Sequence, residues 1–111
     1  MCIFCQIANK EAPADIVFED EEMVAFKDIK PSAPLHFLIV PKRHIQSLAE
    51  IDDQDGDLLG QILLRAKKLA EEHNIAASGY KVVINTGQDG GQIVDHLHVH
   101  LLGGGKVEKS V

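Results

Sequence analysis

The chain has few of the residues that cross-link or anchor a protein. Its 111 residues include no tryptophan, one tyrosine and two cysteines. No apolar run approaches the roughly 18 residues of a membrane span, and the first residues lack the charged-then-apolar order of a secretory signal. We therefore expect a cytoplasmic protein. In such a reducing compartment the pair Cys2-x-x-Cys5 is typical of a metal clip or of free thiols rather than a structural disulfide.

An excess of positive charge is also missing. The chain has 11 lysines and arginines against 17 acidic residues, for a formal charge of -6. Proteins that grip nucleic acid usually carry a basic face, so we expect neither a nucleic-acid nor a membrane partner, and small ligands remain possible. A 45% hydrophobic share over 111 residues fits one core. The sequence predicts a single domain over residues 1–111, with a loose tail at 106–111.

Hydrophobic spacing predicts an antiparallel α+β fold with five strands. Apolar residues recur every three or four positions from Asp52 to His73, which indicates a long helix capped by Asp52 or Asp53. Short apolar runs bounded by turn residues indicate strands. The full set of further predicted elements is a short helix at Ile3–Asn9 and strands at Ile16–Glu19, Met23–Phe26, His36–Val40, Tyr80–Ile84 and 96–102.

Three histidines alternate near the C-terminus, in the run His96-Leu97-His98-Val99-His100. Successive side chains of a strand point to opposite faces, so the three rings share one face and the apolar residues pack on the other. Neighbouring rings in such a strand stand about 7 Å apart, and two or three of them can reach one phosphate group. We expect this histidine row to lie on an open face beside the glycine-rich loop at 85–92.

Two other interpretations of the row start from the residues alone. Three histidines can bind a catalytic zinc ion, and histidines can also sit in a core or on a surface without any function. Strict alternation on an apolar strand after a glycine-rich loop favours a functional role.

The row and several motifs before it resemble the histidine-triad (HIT) family, in its Hint branch. The run from His96 to Leu102 is similar to the family signature His-φ-His-φ-His-φ-φ, where φ is an apolar residue. The similarity covers residues 2–105. The other matching motifs are Cys2-Ile3-Phe4-Cys5, Phe26-Lys27-Asp28-Ile29, Pro34-x-His36-Phe37-Leu38-Ile39-Val40-Pro41-Lys42-x-His44, Asn85 and Gly90-Gly91-Gln92.

The resemblance implies hydrolysis of purine nucleoside 5′-phosphoramidates to AMP or GMP and an amine, through a covalent nucleotidyl-histidine. It assigns the nucleophile to His98 and the proton donor to His100, with His96 and His36 as hydrogen-bonded support. A neutral imidazole is a competent nucleophile. No metal is required for this step.

The resemblance also implies a nucleotide site. It places Asp28 at the ribose hydroxyls and Asn85 at the ribose or phosphate. The phosphate would meet His98, His100 and backbone N–H groups near Gly91 and Gln92, which act as preorganised donors. From the residues alone, Asp28 is typical of a turn, and the apolar set is typical of ordinary core. The apolar residues that the resemblance places around the base are Ile3, Phe4, Ile7, Phe26 and Ile29.

A structural zinc ion is a further expectation. Cys2 and Cys5 have the spacing of two tetrahedral ligands, and the resemblance supplies His44 and His96 as the other two. Four protein ligands would close the site, so that zinc stiffens the row without entering the chemistry. The resemblance also implies a homodimer in which the strand at 80–85 and the long helix pair to make a ten-stranded sheet.

The chain departs from the family pattern at Ile93, where a serine or threonine is usual. Isoleucine cannot donate a hydrogen bond to a phosphate, so turnover and leaving-group preference stay open. The alternatives are a low-turnover nucleotide-binding or zinc-binding interaction protein, a dinucleoside polyphosphate hydrolase and a three-histidine metalloenzyme.

Overall fold

Five antiparallel strands form one sheet in the computed structural model, which describes residues 2–107. The order across the sheet is β1-β2-β3-β5-β4. The predicted α+β fold is confirmed, whereas residues 108–111 of the predicted loose tail lie outside the described residues. The elements are α1 (Ile3–Ala8), β1 (Ile16–Glu19), β2 (Met23–Lys27), β3 (Leu35–Pro41), α2 (Gly56–Glu72), β4 (Tyr80–Val83) and β5 (Val99–Gly103).

The long helix begins later than predicted. Residues Asp53–Asp55 form a separate 3-10 turn, and α2 starts at Gly56. The side chain of Asp52 accepts a hydrogen bond from the Gln54 amide at 2.9 Å, so this aspartate caps the turn rather than the α-helix. A side chain that accepts a hydrogen bond from the first backbone amides can cap a 3-10 turn as well as an α-helix. The sequence therefore predicts the capping residue but not the residue at which the α-helix begins. Among residues 2–107, no helix is both long enough and apolar enough to cross a membrane.

Alternation along the central strands gives the sheet two different faces. Met23, Ala25, Phe37 and Ile39 pack under α2 together with Val99 and Leu101 of β5. The residues between them on β2 and β3 point the other way, toward α1. This second face also carries His36 of β3 and His100 of β5. The residues of β2, β3 and α1 that form its apolar cluster are Phe4, Ile7, Ala8, Val24, Phe26, Leu38 and Val40.

Strand register brings His36 and His100 together. His36 pairs with Leu102 and Leu38 pairs with His100, so the two histidines are diagonal neighbours on one face of β3 and β5. Diagonal neighbours of an antiparallel pair lie within reach of long side chains. The two rings are therefore positioned by an uninterrupted strand pair of the sheet.

The predicted histidine strand is shorter than expected, and its face is not open. Strand β5 starts at Val99, and His96 and His98 lie in the segment before it, where the Leu97 amide donates to the Ile45 carbonyl at 2.7 Å. His96, His98 and His100 are 0%, 7% and 8% exposed. Alternation predicts which residues share a face, but it does not predict that α1 covers that face.

Candidate functional site

The ring of His98 is oriented by the backbone of its own segment. Its Nδ1 lies 2.7 Å from the carbonyl oxygen of His96. A carbonyl oxygen only accepts hydrogen bonds, so Nδ1 carries the proton and donates it. In the neutral ring Nε2 then holds the lone pair. The neutral tautomer of His98 therefore presents at Nε2 the lone pair that a nucleophilic imidazole needs.

A chain of three groups fixes His100 in the opposite tautomer. The Ser32 amide donates to Nδ1 of His36 at 3.0 Å, so this nitrogen is unprotonated. Nε2 of His36 must therefore carry the proton, and it donates to Nδ1 of His100 at 2.9 Å. Nδ1 of His100 accepts, which leaves the proton of the neutral ring on Nε2. His100 presents a donor where His98 presents a lone pair.

The electrostatics of the pair keep His36 and His100 neutral. Burial, together with the nearby rings of His98 and His36, lowers the pKa of His100 to about 4, while the charge of Asp28 opposes the shift. Burial also lowers the pKa of His36, again against the opposing charge of Asp28. The rings of His98 and His100 lie 5.0 Å apart between centroids, close enough to act on one small group.

The third histidine of the row faces a different group of side chains. Nε2 of His96 donates to the Pro41 carbonyl at 2.8 Å, so Nδ1 carries the lone pair. That Nδ1 lies 3.3 Å from Sγ of Cys2 and 3.5 Å from Sγ of Cys5. Burial lowers the pKa of His96 and thereby favours the neutral ring. His96 supports His98 through its backbone oxygen, not through its ring.

Cys2, Cys5, His44 and His96 form a cluster that fits a tetrahedral metal ion. Nδ1 of His44 lies 3.2 Å from Sγ of Cys5, and one ligand atom from each of the four residues lies within 4.8 Å of the others. Around tetrahedral zinc a sulfur and a nitrogen ligand stand about 3.6 Å apart. The measured separations are slightly shorter, as expected where the thiols bond directly to the ring nitrogens. Both cysteines are free thiols.

A metal ion shared by the whole histidine row has no support in the part of the chain that the structure describes. The second group of side chains near enough to share an ion there is Asp28, His36 and His100. Metal at Nε2 of His36 would force the proton onto Nδ1, against the Ser32 amide that donates to it. This hydrogen bond therefore opposes a metal ion at Nε2 of His36.

Asp28 is the carboxylate nearest to these rings. Its Oδ2 lies 3.5 Å from Nε2 of His36, and its Oδ1 accepts from the Lys30 amide at 2.8 Å. The side chain is 20% exposed, so the carboxylate keeps access to solvent. Asp28 can both stabilise a turn and lie beside the histidines, because Oδ1 accepts the turn hydrogen bond and Oδ2 faces His36.

The apolar residues predicted around a base divide into two groups. Phe4, Ile7 and Phe26 are buried in the α1 face of the sheet, and Phe4 packs edge-on against His98 at 5.2 Å between ring centroids. Ile3 is 44% exposed and Ile29 is 91% exposed. Asn85 lies half-buried at the end of β4. The buried group forms a wall beside the histidines, and the exposed pair is free to contact a ligand.

The glycine-rich loop is braced by its own hydrogen bonds. The Gly91 amide donates to Gln88 and the Gln92 amide donates to Gly87, each at 3.0 Å. The side-chain amide of Gln92 accepts from Gly87 and donates to the carbonyls of Gln46 and Val94. The turn uses both amides in this conformation, so the role of backbone N–H groups near Gly91 and Gln92 as donors to a phosphate stays a prediction.

Two features of this loop are set by its sequence. A Cβ at Gly90 would lie 2.3 Å from the Thr86 carbonyl oxygen, so only glycine fits there. Ile93, immediately after the braced turn, is 91% exposed. The loop therefore holds an apolar side chain in solvent three residues before the histidine row.

Two cavities in the described part of the chain are lined by no residue of the histidine row. Volumes of about 370 and 500 Å³ adjoin the turn between β1 and β2 and the start of α2. Glu22 and Asp57 line both cavities. Lys42 and Arg43 also line the smaller cavity, but they are paired with Glu19 and Asp55. Carboxylates repel phosphate, so we assign anion chemistry to the neutral donors and lone pairs of the histidine face.

Sequence reasoning missed the backbone groups that set the ring tautomers. The Ser32 amide, the Pro41 carbonyl and the His96 carbonyl each bond one ring nitrogen. Every residue type has a carbonyl and all but proline have an amide, so no residue pattern marks these groups. The proline-bounded loop before β3 was the single available signal for Ser32.

Comparison with known proteins gives a consistent result. Residues 1–109 match the family model described as "Scavenger mRNA decapping enzyme C-term binding". The chain is 51% identical over 102 residues to Protein HitA of Neisseria gonorrhoeae, covering 92% of this chain and 94% of that protein. A HIT family hydrolase from Legionella pneumophila Philadelphia 1 superposes with a TM-score of 0.94 at 50% identity, covering 96% of this chain and 95% of that one.

A more distant solved structure bears on the Cys/His cluster. The zinc-bound histidine triad family protein from Mycobacterium smegmatis is 29% identical, with a TM-score of 0.82 over 96% of this chain and 79% of that chain. Zinc is therefore present in at least one protein of this fold.

Proposed function

Since this chain belongs to the histidine-triad family, whose solved members include hydrolases, we propose that it cleaves the P–N bond of purine nucleoside 5′-phosphoramidates. The products are AMP or GMP and an amine. The observation that carries the proposal is the pair of opposite tautomers, a lone pair at Nε2 of His98 and a proton at Nε2 of His100. Attack on phosphorus needs the first, and departure of an amine needs the second.

In the first step Nε2 of His98 forms a bond to phosphorus while the P–N bond breaks. The leaving nitrogen takes the Nε2 proton from the imidazolium form of His100, which the bound anionic phosphate favours, and departs as a neutral amine while His100 becomes the neutral ring. In the second step a water molecule attacks phosphorus, its proton returns to His100, and the bond to His98 breaks to release the nucleoside monophosphate. Burial lowers the pKa of His100 to about 4, and an anionic phosphate beside the ring offsets part of this effect.

Asp28 and the apolar residues supply the proposed nucleoside site. The Oδ2 oxygen of Asp28, which faces His36, is suited to accept hydrogen bonds from ribose hydroxyls. Phe4, Phe26 and Ile7 form the buried wall against which a purine packs, and Ile3 and Ile29 cover its outer side. Asn85 is proposed to contact the ribose or phosphate. The phosphate meets His98 and His100, and donors from Gly91 and Gln92 require a rearranged turn.

We also propose that Cys2, Cys5, His44 and His96 hold a structural zinc ion. The ligand-atom separations and the donor set of two sulfurs and two nitrogens support this. Four protein ligands leave no open position, so the metal would stabilise the fold rather than activate water. The two free thiols are also compatible with the cytoplasmic location that we propose.

A homodimer is the proposed assembly. The edge strand β4 exposes Tyr80 and Val82, each 39% accessible, and α2 exposes Leu63 and Leu64 at 41% and 52%. An unpaired edge beside exposed apolar side chains favours strand pairing with a second copy. Light scattering on wild type and on Val82→Lys tests this, because a charge on the edge should shift a dimer toward monomer.

The decisive experiment compares wild type with His98→Asn. An asparagine keeps a donor near the position of Nδ1, so the bond to the His96 carbonyl can survive while the nucleophile is removed. We expect phosphoramidate hydrolysis to fall by at least about 10³-fold. Denaturing mass spectrometry after brief mixing with substrate should find a nucleotidyl adduct on wild type alone. Equal rates for the two proteins would refute the assignment, and tight AMP binding without turnover would favour the interaction-protein alternative.

A further inference from the structure

The proposed zinc ligands join three separate segments of the chain. Cys2 directly precedes α1 and Cys5 lies within it. His44 lies in the loop after β3, and His96 lies in the segment before β5. The contacts of His96 with the two cysteines span 94 and 91 residues of sequence. An ion bound by these four side chains would therefore tie α1 to the sheet.

Helix α1 needs such a tie. It has six residues, and its N-cap residue Cys2 makes no side-chain capping bond. Isolated helices shorter than about 12 residues are marginal in water, so α1 depends on tertiary contacts for its position. Phe4, Ile7 and Ala8 provide the apolar part of these contacts.

Phe4 connects the cluster to the catalytic histidines. It stands between the two cysteines in sequence, and its ring is 6% exposed. Ring centroids lie 5.9 Å from His96, 5.2 Å from His98 and 5.5 Å from Phe26. A shift of α1 would move this ring away from His98 and from Phe26, with which it forms part of the wall proposed for the base.

We propose that Phe4 is a positioning residue for His98 and that zinc in the Cys/His cluster, by fixing the cysteines on both sides of Phe4, tightens the binding of purine nucleotides. The inference rests on the proposed function and adds a metal-dependent control of its site. The ion stays outside the reaction and acts through the placement of α1. Because the coupling of two binding sites is reciprocal, the nucleotide must tighten zinc binding by the same factor.

The test measures binding of AMP to the whole chain by calorimetry, with zinc loaded and after removal by chelator. We expect AMP to bind roughly five- to tenfold more weakly to the zinc-free protein. Competition with a coloured chelator should find zinc bound more tightly by the same factor at saturating AMP. Hydrogen exchange should accelerate at the Gln6 and Asn9 amides, which bond to the Cys2 and Cys5 carbonyls inside α1.

Variants separate a positioning effect from a general loss of stability. His44→Asn removes one ligand from outside α1 and should reproduce the zinc-free affinity for AMP. His73→Asn removes an exposed histidine that packs on Phe37 under α2, and it should leave the zinc dependence unchanged. Phe4→Leu keeps an apolar core but removes the aromatic contact with His98, so zinc should no longer alter AMP affinity. Cys5→Ser provides a second way to remove the ion.

The outcomes distinguish a failure of zinc coupling from a failure of the proposed function. Equal, measurable AMP affinities with and without zinc would overturn the inference alone, as would failure of purified protein to take up zinc. Unchanged coupling in Phe4→Leu would overturn the role of Phe4. If AMP binds to neither form, the proposed function fails and the inference fails with it.

Discussion

The two faces of the sheet are made by the same strands, yet they differ in what they bury. Under the 17-residue helix α2 the core is apolar throughout, and Leu69, Ala70, Val99 and Leu101 are all at most 1% exposed. Under the six-residue helix α1 the strands bury histidines among the apolar residues. Among residues 2–107, no buried side-chain nitrogen or oxygen lacks a hydrogen-bond partner. The sheet face under α1, called the polar face below, can bury histidines because each fully buried ring nitrogen has a hydrogen-bond partner.

The largest effect is expected from a substitution in the apolar face, the side of the sheet that packs under α2. Leu69→Ala removes a side chain that is 1% exposed between α2 and the sheet. We expect a loss of about 3 kcal/mol in the free energy of unfolding, from the lost apolar burial and the cavity. Urea unfolding measures it. Catalytic rates below the melting temperature should stay near wild type, and the exposed Lys68→Ala on the same helix should change stability by less than about 0.5 kcal/mol. A large loss of activity in folded Leu69→Ala protein would contradict the view that the face under α2 contributes stability while the face under α1 carries the proposed chemistry.

The second-largest effect is expected from a substitution on the polar face that leaves the protein folded. In His100→Asn the side-chain oxygen can accept the bond that Nδ1 now accepts from His36, while the Nε2 donor is lost. We expect kcat to fall by about 10²-fold. Steady-state kinetics checks this. Substrates with a good leaving group should lose less, because they need no proton on departure. An equal loss for all leaving groups would argue against His100 as the proton donor.

The difference between the faces also shows what the sequence predicts and what it leaves open. Alternation in β2 and β3 predicts both faces, and the motif resemblance predicts the roles of His98 and His100. The resemblance also groups His96 with Cys2 and Cys5, but it does not predict which ring nitrogen faces them, because the Pro41 carbonyl that bonds Nε2 lies 55 residues away in the chain. The start of β5 at Val99 was missed for a similar reason, since Leu97 bonds to Ile45 in a loop rather than to a strand. Local pattern sets which side a residue faces, and tertiary partners set what it does there.

A pH experiment sharpens the comparison, because the α1 face alone buries histidines with a shifted pKa. Burial lowers the pKa of His100 to about 4 from the ordinary 6.5. As the pH falls below the ordinary value, the unfolded chain takes up the proton first, so stability is lost between about pH 6.5 and pH 4. From pH 7 to pH 5, His100 should remove about 2 kcal/mol from the free energy of unfolding.

Urea unfolding of wild type and His100→Asn at the two pH values measures this contribution. The variant should lose less stability than wild type, by about the amount assigned to His100. The carboxylates of Glu19 and Asp55, whose pKa values are lowered by Lys10 and by Arg43, lose their stabilising contribution only below their ordinary values of 4.5 and 3.8. They therefore do not obscure the histidine window. Parallel curves for the two proteins would show that His100 is not protonated preferentially in the unfolded state.

The smallest expected effect concerns Ile93, which lies on neither packed face. Because its side chain is 91% exposed, Ile93→Ser should alter stability by less than about 0.5 kcal/mol. A hydroxyl three residues before His96 adds a donor for a charged phosphoryl oxygen, so we expect kcat to rise about threefold. Ile29→Ser is a matched change at an isoleucine that is also 91% exposed. Since Ile29 is proposed to cover the base, this variant should raise KM and leave kcat unchanged. If Ile93→Ser alters KM instead of kcat, the exposed loop contacts the nucleoside rather than the reacting phosphate, and the leaving group is selected elsewhere.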